Sequence, residues 1–141
     1  MKRKIQSVEV SYFVHSTEDG SVIEEAVRGC FGDLGEPERE ELEGHFGNSI
    51  IRVRHHVTGE AAADAMAALV SKMDQALKKK VAGEMRLHLD EHYAFYIRLH
   101  KQQLIRGRLE LADSDPVRVR VKPRAFTLEA GAEPFFLGLL S

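Results

Sequence analysis

Apolar and polar residues alternate in several short segments of the chain, a period of two that is typical of half-buried β-strands. The first segment is residues 5–15, in which Val8, Val10, Tyr12 and Val14 share one parity. The same pattern predicts further strands over residues 49–57, 93–99 and 117–122, and another around Gly107. Pro123 should end the last strand, because proline cannot donate a ladder hydrogen bond.

Between the strands, apolar residues recur every three or four positions, which is the period of a helix. This pattern predicts helices over residues 16–30, 58–73 and 77–87. Ser16 is the expected N-cap of the first helix. Residues 36–41 fit either one short helix or a solvated connection, and the pattern leaves both open.

Strands near both ends of the chain, with helices between them, predict an α+β domain of two layers. We expect a twisted mixed or antiparallel sheet with helices packed on one face and the other face open. A length of 141 residues predicts one domain, with a core over about residues 5–124. Residues 125–141 form an apolar C-terminal tail, which should dock on the body or on a second subunit to give a homodimer.

The parity of a strand residue decides which face of the sheet its side chain joins. If the apolar residues face the helices, the alternating polar residues must share the open face. Arginines at that spacing suit a phosphate backbone, and a tyrosine among them offers a stacking surface. The predicted open face holds Arg52, Arg54, His56, Tyr96, Arg98, Arg118, Arg120 and Lys122.

The distribution of charge supports a polyanion partner more than the formal net charge of −2 does. Residues 1–48 hold five basic and eleven acidic side chains, whereas residues 96–124 hold eight basic and three acidic ones. Local charge is what a polyanion meets. We therefore expect the acidic residues to lie away from the basic strands. A sheet face that is merely solvated would show the same alternation, so the charge pattern alone leaves that interpretation open.

No catalytic or metal-binding motif is visible. Cys30 is the only cysteine, which excludes an internal disulfide, and it fits a small buried hydrophobe. His88 and His92 are four residues apart but lack the order of a zinc-protease motif and a third ligand. We predict a protein that is not an enzyme and has no metal and no cofactor. No signal peptide or apolar span is present, so we expect a cytoplasmic protein without membrane contact.

Three segments together resemble an archaeal RNA-binding family whose members are described as predicted exosome subunits. They are FVHSTED at residues 13–19, EGHFGNSI at 43–50 and IRLHKQ at 97–102, and the strand at 117–122 also fits. The resemblance covers about residues 5–124. The chain departs from the family pattern at Ser49, where proline is usual, and at His100, where many members carry an acidic residue. The resemblance implies RNA binding, association with exosome subunits, and a fold similar to the ribosomal protein that binds 5S RNA.

The leading hypothesis is a non-catalytic, sequence-tolerant RNA-binding protein with RNA and exosome subunits as partners. The alternative is a protein-interaction adaptor or structural subunit that uses the C-terminal tail and the acidic first half. The sequence leaves open whether the RNA is single-stranded or structured. The candidate RNA-binding residues are those of the predicted open face together with Lys101, His45, Phe46 and Asn48.

Overall fold

The computed structural model of the chain describes residues 4–44, 47–124 and 131–141. None of the helices in those ranges is long and apolar enough to cross a membrane. In chain order the elements are β1 (Ile5–His15), α1 (Gly20–Phe31), β2 (Glu38–Glu43), β3 (Ser49–Thr58), α2 (Gly59–Lys72), α3 (Gln75–Gly83), a 3-10 helix (Met85–His88), β4 (Phe95–Leu99), α4 (Lys101–Ile105), β5 (Val117–Pro123) and α5 (Ala132–Leu140).

The strands that the structure describes form one sheet in the order β2-β3-β1-β5-β4. Every neighbouring pair is antiparallel, which decides between the mixed and the antiparallel sheet in favour of the latter. The long strand β1 lies at the centre and pairs with β3 on one side and β5 on the other. The pairing of β1 therefore sets the register of β3 and β5 relative to each other.

One face of the sheet is buried under helices. Val10 of β1 lies opposite His55 of β3 and Val119 of β5, and all three side chains are at most 1% exposed. Val27 of α1 and Leu69 of α2 are completely buried in the same core. The alternate residues of these strands are exposed or half-buried, so the expected two-layer α+β fold with an open sheet face is confirmed.

Residues 36–41 adopt neither of the two expected conformations. Glu38–Glu43 is an edge strand, β2, that pairs with β3. The segment EREELE has little apolar character of its own, so its conformation is fixed by pairing with a neighbour rather than by an apolar pattern. Carboxylates on β2 also face arginines on β3, an arrangement that stabilises a cross-strand pair.

Helix α1 begins later than the sequence pattern predicts. Its N-cap is Asp19, whose carboxylate accepts a hydrogen bond from the Ser21 backbone N–H at 3.0 Å. Ser16 instead lies in a turn that the Glu18 carboxylate closes by accepting from the His15 N–H at 2.9 Å. The Ser21 hydroxyl and backbone N–H both donate to the Asp19 carboxylate, and these hydrogen bonds hold the pKa of Asp19 below its ordinary value.

The strand expected around Gly107 is a wrong prediction. The chain forms helix α4 directly after β4, and Gly107 follows in a turn with φ of 79°. The His100 ring accepts a hydrogen bond from the Gln103 N–H at 3.2 Å and so caps α4. Farther on, Leu111 makes an isolated bridge with Leu99 at the outer edge of β4.

The C-terminal segment docks on the body of the same chain. Residues 125–130 of the expected tail lie outside the described ranges, and the rest forms α5. Phe136 of α5 is fully buried, and its ring stacks on that of Phe95 with the centroids 5.3 Å apart. A homodimer formed through the tail stays a prediction.

Removing the Phe136 ring should destabilise the protein strongly. Phe136→Ala leaves a cavity against Phe95, and we expect the free energy of unfolding to fall by about 3 kcal/mol in urea titrations. Leu87→Ala is the control, because Leu87 is 80% exposed and its truncation should change stability by no more than about 0.5 kcal/mol. Equal effects of the two substitutions would contradict the docking of α5.

Candidate nucleic-acid interface

The register of the sheet brings arginines from three separate segments together on the open face. Arg54 lies opposite Ser11, Ser11 lies opposite Arg118, and Arg118 lies opposite Arg98. Adjacent strands are about 4.8 Å apart, so these residues form a continuous row. The edge strand β2 adds Glu38 to the row, opposite Arg54. The neighbouring row contains His56, Glu9, Arg120 and Tyr96.

The part of the open face formed by β2 and β3 is electrically balanced. Arg52 Nη2 lies 2.8 Å from Glu40 Oε2, and Arg54 Nη2 lies 3.0 Å from Glu38 Oε2. Arg54 Nε is also 3.5 Å from Glu9 Oε1. The expectation that acidic residues lie away from the basic strands is therefore wrong here. Strand β2 places its carboxylates beside β3 because alternate residues of the two paired strands share a face.

The opposite part of the open face keeps its positive charge. We call it the β4–β5 surface. Among the residues that the structure describes, Arg118 and Lys122 have no carboxylate within ion-pair distance, and both side chains are exposed. Within the described ranges, the ion-pair partner of Arg98 is a distant one, with Nη1 3.9 Å from Asp113 Oδ1. The β4–β5 surface consists of Tyr96, Arg98, Arg118, Arg120 and Lys122.

Arg118 is positioned by an aromatic ring rather than by a carboxylate. Its guanidinium carbon lies 5.9 Å from the centroid of the Phe13 ring. A guanidinium over a ring face is held by a cation–π interaction and keeps its hydrogen-bond donors available. Phe13 is half-buried in β1, so it provides a fixed support. Phe13 has the parity of Ser11 and Glu9, which is the signal by which the sequence places it on this face.

Arg120 is held in place by Asp90, a residue that is not among the candidates predicted from the sequence. Arg120 Nη2 and Nε both lie 3.3 Å from Asp90 Oδ2. Partial burial raises the pKa of Asp90, but hydrogen bonds from the Ala94 and His92 N–H groups and from Arg120 outweigh it, so the pKa lies below its ordinary value. Asp90 is therefore ionised at neutral pH and neutralises Arg120. It lies in the turn before β4, where no pattern in the sequence indicates a partner on β5.

Lys101 does not lie on the open face, which corrects its assignment as an RNA-binding residue. Its side chain is 2% exposed, and Nζ donates hydrogen bonds to the Phe13 carbonyl at 2.7 Å, Glu18 Oε1 at 3.1 Å and Asp115 Oδ2 at 2.7 Å. An ammonium group has three protons, so these contacts use all of them. Lys101 thus links the end of β1, the turn before α1 and the segment before β5.

A histidine completes the group around Lys101. His15 Nε2 lies 3.2 Å from Asp115 Oδ1. Ligand atoms of His15, Glu18 and Asp115 all lie within 4.8 Å of one another, a spacing that could hold a metal ion. Lys101 already provides a positive charge between the two carboxylates. The arrangement is therefore that of an internal ion-pair network.

Of the remaining candidate residues, His56 lies on the open face and Asn48 lies between β2 and β3. His56 is exposed on the open face, whereas His55 is completely buried on the other, with Nε2 3.4 Å from the Tyr12 hydroxyl. Burial lowers the pKa of His55. Asn48 is exposed, and its carbonyl accepts from the Gly44 N–H at 2.7 Å. The candidates His45 and Phe46 lie outside the described residues.

The single thiol has the character expected of a core residue. Cys30 is 4% exposed, and burial raises its pKa to about 12. A thiol is nucleophilic as the thiolate, so this group is unreactive at neutral pH. Cys30 belongs to the helix layer, where it packs in the hydrophobic core.

The fold and the open face together define a two-layer α+β protein with a partly uncovered antiparallel sheet. A family model described as RNA binding matches residues 7–123. The chain belongs to this RNA-binding family.

One sequence relative and two solved structures are similar to this chain over most of its length. RNA-binding protein PAB1135 of Pyrococcus abyssi is 29% identical over 141 residues, which cover 93% of this chain and 90% of that protein. The crystal structure of AF2318 from Archaeoglobus fulgidus has a TM-score of 0.82 at 24% identity, covering 96% of this chain and 99% of that one. Mth689 from Methanothermobacter thermautotrophicus has a TM-score of 0.77 at 23% identity, covering 98% and 99%. These two structures share the fold.

Replacing Lys101 should lower the free energy of unfolding more than replacing an exposed lysine does. Lys101→Met leaves Glu18 and Asp115 without their shared cation, and we expect a loss of about 3 kcal/mol in the free energy of unfolding. The matched control is Lys122→Met, which removes an exposed ammonium and should cost less than about 0.5 kcal/mol. Thermal and urea unfolding measure both. A loss for Lys101→Met as small as that of the control would contradict the network.

Proposed function

We propose that the protein binds RNA without catalysis and that the β4–β5 surface is the binding site. The observation that carries the proposal is the pair of exposed cations, Arg118 and Lys122, that have no carboxylate partner among the described residues. Cations whose charge is not already neutralised are the ones that attract a polyanion. The family and the name of the Pyrococcus relative support RNA as that polyanion.

The charge balance of the open face gives the proposed RNA a preferred position. On the β3 side, each arginine already has a glutamate at 2.8–3.0 Å, and a phosphate approaching there would meet Glu38 and Glu40 as well. On the β4–β5 surface, Arg118 and Arg98 are directly opposite each other on adjacent strands. We therefore place the phosphate backbone over β5 and β4. Arg52 and Arg54 contribute less than the sequence pattern predicts.

Tyr96 adds a second type of contact to the proposed site. Its side chain is 38% exposed and lies opposite Arg120 on the same face. An exposed ring beside cations can stack on a base, and a base–aromatic stack contributes about 1–3 kcal/mol. A single strand presents unstacked bases to such a ring, whereas a duplex does not. The combination favours single-stranded RNA over duplex RNA.

The adaptor alternative has less support from the contacts of this chain. It needs an available tail and an available acidic region. Helix α5 buries Phe136 and Leu140 against the same chain, and Glu38 and Glu40 already pair with arginines. The tail is therefore already packed on its own chain, and these two glutamates of the acidic half already have partners.

Association with the exosome is proposed separately from RNA binding. The family resemblance implies it, and a single-strand-binding subunit in the cytoplasm would supply RNA to a degrading complex. Mixing the protein with a purified archaeal exosome and measuring co-elution tests this part separately. Lack of co-elution would remove the exosome from the proposal and leave RNA binding in place.

Charge removal on the β4–β5 surface should weaken RNA binding selectively. Lys122→Gln and Arg118→Gln should each reduce the slope of log K against log salt by about 0.7, the value for one phosphate contact on a single strand. Lys79→Gln is the matched control, since Lys79 is an exposed lysine on helix α3. Its slope should equal that of the wild type. The measurement is fluorescence anisotropy of a labelled single-stranded RNA over a range of salt concentrations.

Two results would count against the site. Equal reductions for Lys122→Gln and Lys79→Gln would show that net charge, and not position, controls the affinity. Absence of binding at low salt would contradict RNA binding by the isolated protein altogether. Circular dichroism of each variant confirms that the fold is retained.

A further inference from the structure

A cleft of about 610 Å³ runs along the outer edge of β4. On its outer side, β4 is bridged to Leu89 through Phe95 and to Leu111 through Leu99. The cleft opens beside β4 between these two bridges, and Leu89, Ile97 and Leu111 are among its lining residues. Its volume lies within the range of about 300–1,000 Å³ that is usual for small-ligand sites.

The cleft is continuous with the β4–β5 surface. Tyr96 and Arg98 belong to that surface and also line the cleft. Consecutive residues on one face of a strand are about 6.6–7 Å apart, so the two side chains flank the opening at one point of β4. A strand of RNA held over Arg118 and Arg98 reaches the cleft without leaving the sheet.

The polar groups of the cleft suit a nucleobase better than a phosphate. Lys80 and Arg98 line it, but so do Glu84 and Asp113, which would repel an anion. Asp113 is fully exposed, and among the described residues its Oδ1 has only the 3.9 Å contact with Arg98, so Oδ2 is available as an acceptor. The edge of a base carries donors and acceptors together, and carboxylates accept hydrogen bonds from the exocyclic amino group of cytosine.

Two further features fit a base ring. Leu87 lines the cleft and is 80% exposed, so its apolar side chain is available to contact a ring. His88 is fixed by a hydrogen bond of 2.8 Å between its Nδ1 and the Tyr96 carbonyl. Because a carbonyl can only accept, Nδ1 is the donor in this hydrogen bond, which fixes the orientation of the ring. The cleft also places the carboxylate acceptors of Glu84 and Asp113 beside the donors of Lys80 and Arg98.

We propose that this cleft binds one unpaired base of the RNA and prefers cytosine, which has an exocyclic amino group, over uracil, which does not. This inference rests on the proposed RNA binding at the β4–β5 surface. Glu84 and Asp113 are the groups that distinguish the two bases, and Leu87 contacts the ring.

The test compares oligocytidylate with oligouridylate of roughly ten nucleotides, since the two have the same backbone charge and similar ring size. By anisotropy titration at low salt, the wild type should bind oligocytidylate about five- to tenfold more tightly. Glu84→Gln with Asp113→Asn should bring the ratio close to one while the affinity for both oligomers rises, because two negative charges are lost. Leu87→Ala should weaken both oligomers alike.

The matched control is Glu25→Gln with Asp64→Asn, which removes the same charges from exposed positions on α1 and α2. It should leave the cytosine preference unchanged. Equal binding of the two oligomers by the wild type, or a preference that persists in the Glu84 and Asp113 variant, would overturn the cleft proposal while RNA binding stands. No binding of either oligomer would overturn both proposals.

Discussion

The structure depends on the antiparallel register of β1 with its two neighbours. Because strand side chains alternate between faces, the pairs Ser11–Arg54 and Ser11–Arg118 fix both arginines on the side opposite the helices. A slip of one residue would turn these arginines into the core and expose the valines that now pack under α1 and α2. Hydrophobic burial on one face therefore determines the charge pattern of the other.

The internal ion-pair network of Lys101 connects this register to the start of β5. Lys101 binds the Phe13 carbonyl on β1 and the Asp115 carboxylate just before β5. Arg118 follows three residues later and lies over the Phe13 ring. One buried lysine thus fixes both the aromatic support and the strand that carries the exposed cations. These contacts account for the burial of a basic residue within the segment 97–102.

Features that depend on the parity of strand residues could be predicted from the sequence. Features that depend on pairing with a distant segment of the chain could not. Alternation was enough for β1, β3, β4 and β5, because burial of one face leaves a period of two. Strand β2 carries no such signal, and its glutamates neutralise Arg52 and Arg54 only once β3 lies beside it. Lys101 is the first residue of α4, beyond the end of β4, so strand parity says nothing about its burial, and its partners Glu18 and Asp115 are distant in the sequence.

The central claim is that RNA lies over β4 and β5 and not over the whole open face. Backbone amide NMR of the 141-residue chain, titrated with a short single-stranded RNA, tests it most directly. RNA bound over β4 and β5 should cause the largest chemical-shift changes at residues 96–98 and 118–122, with small changes in β2. Large changes in β2 or in helices α1 and α2, with β4 and β5 unaffected, would contradict it.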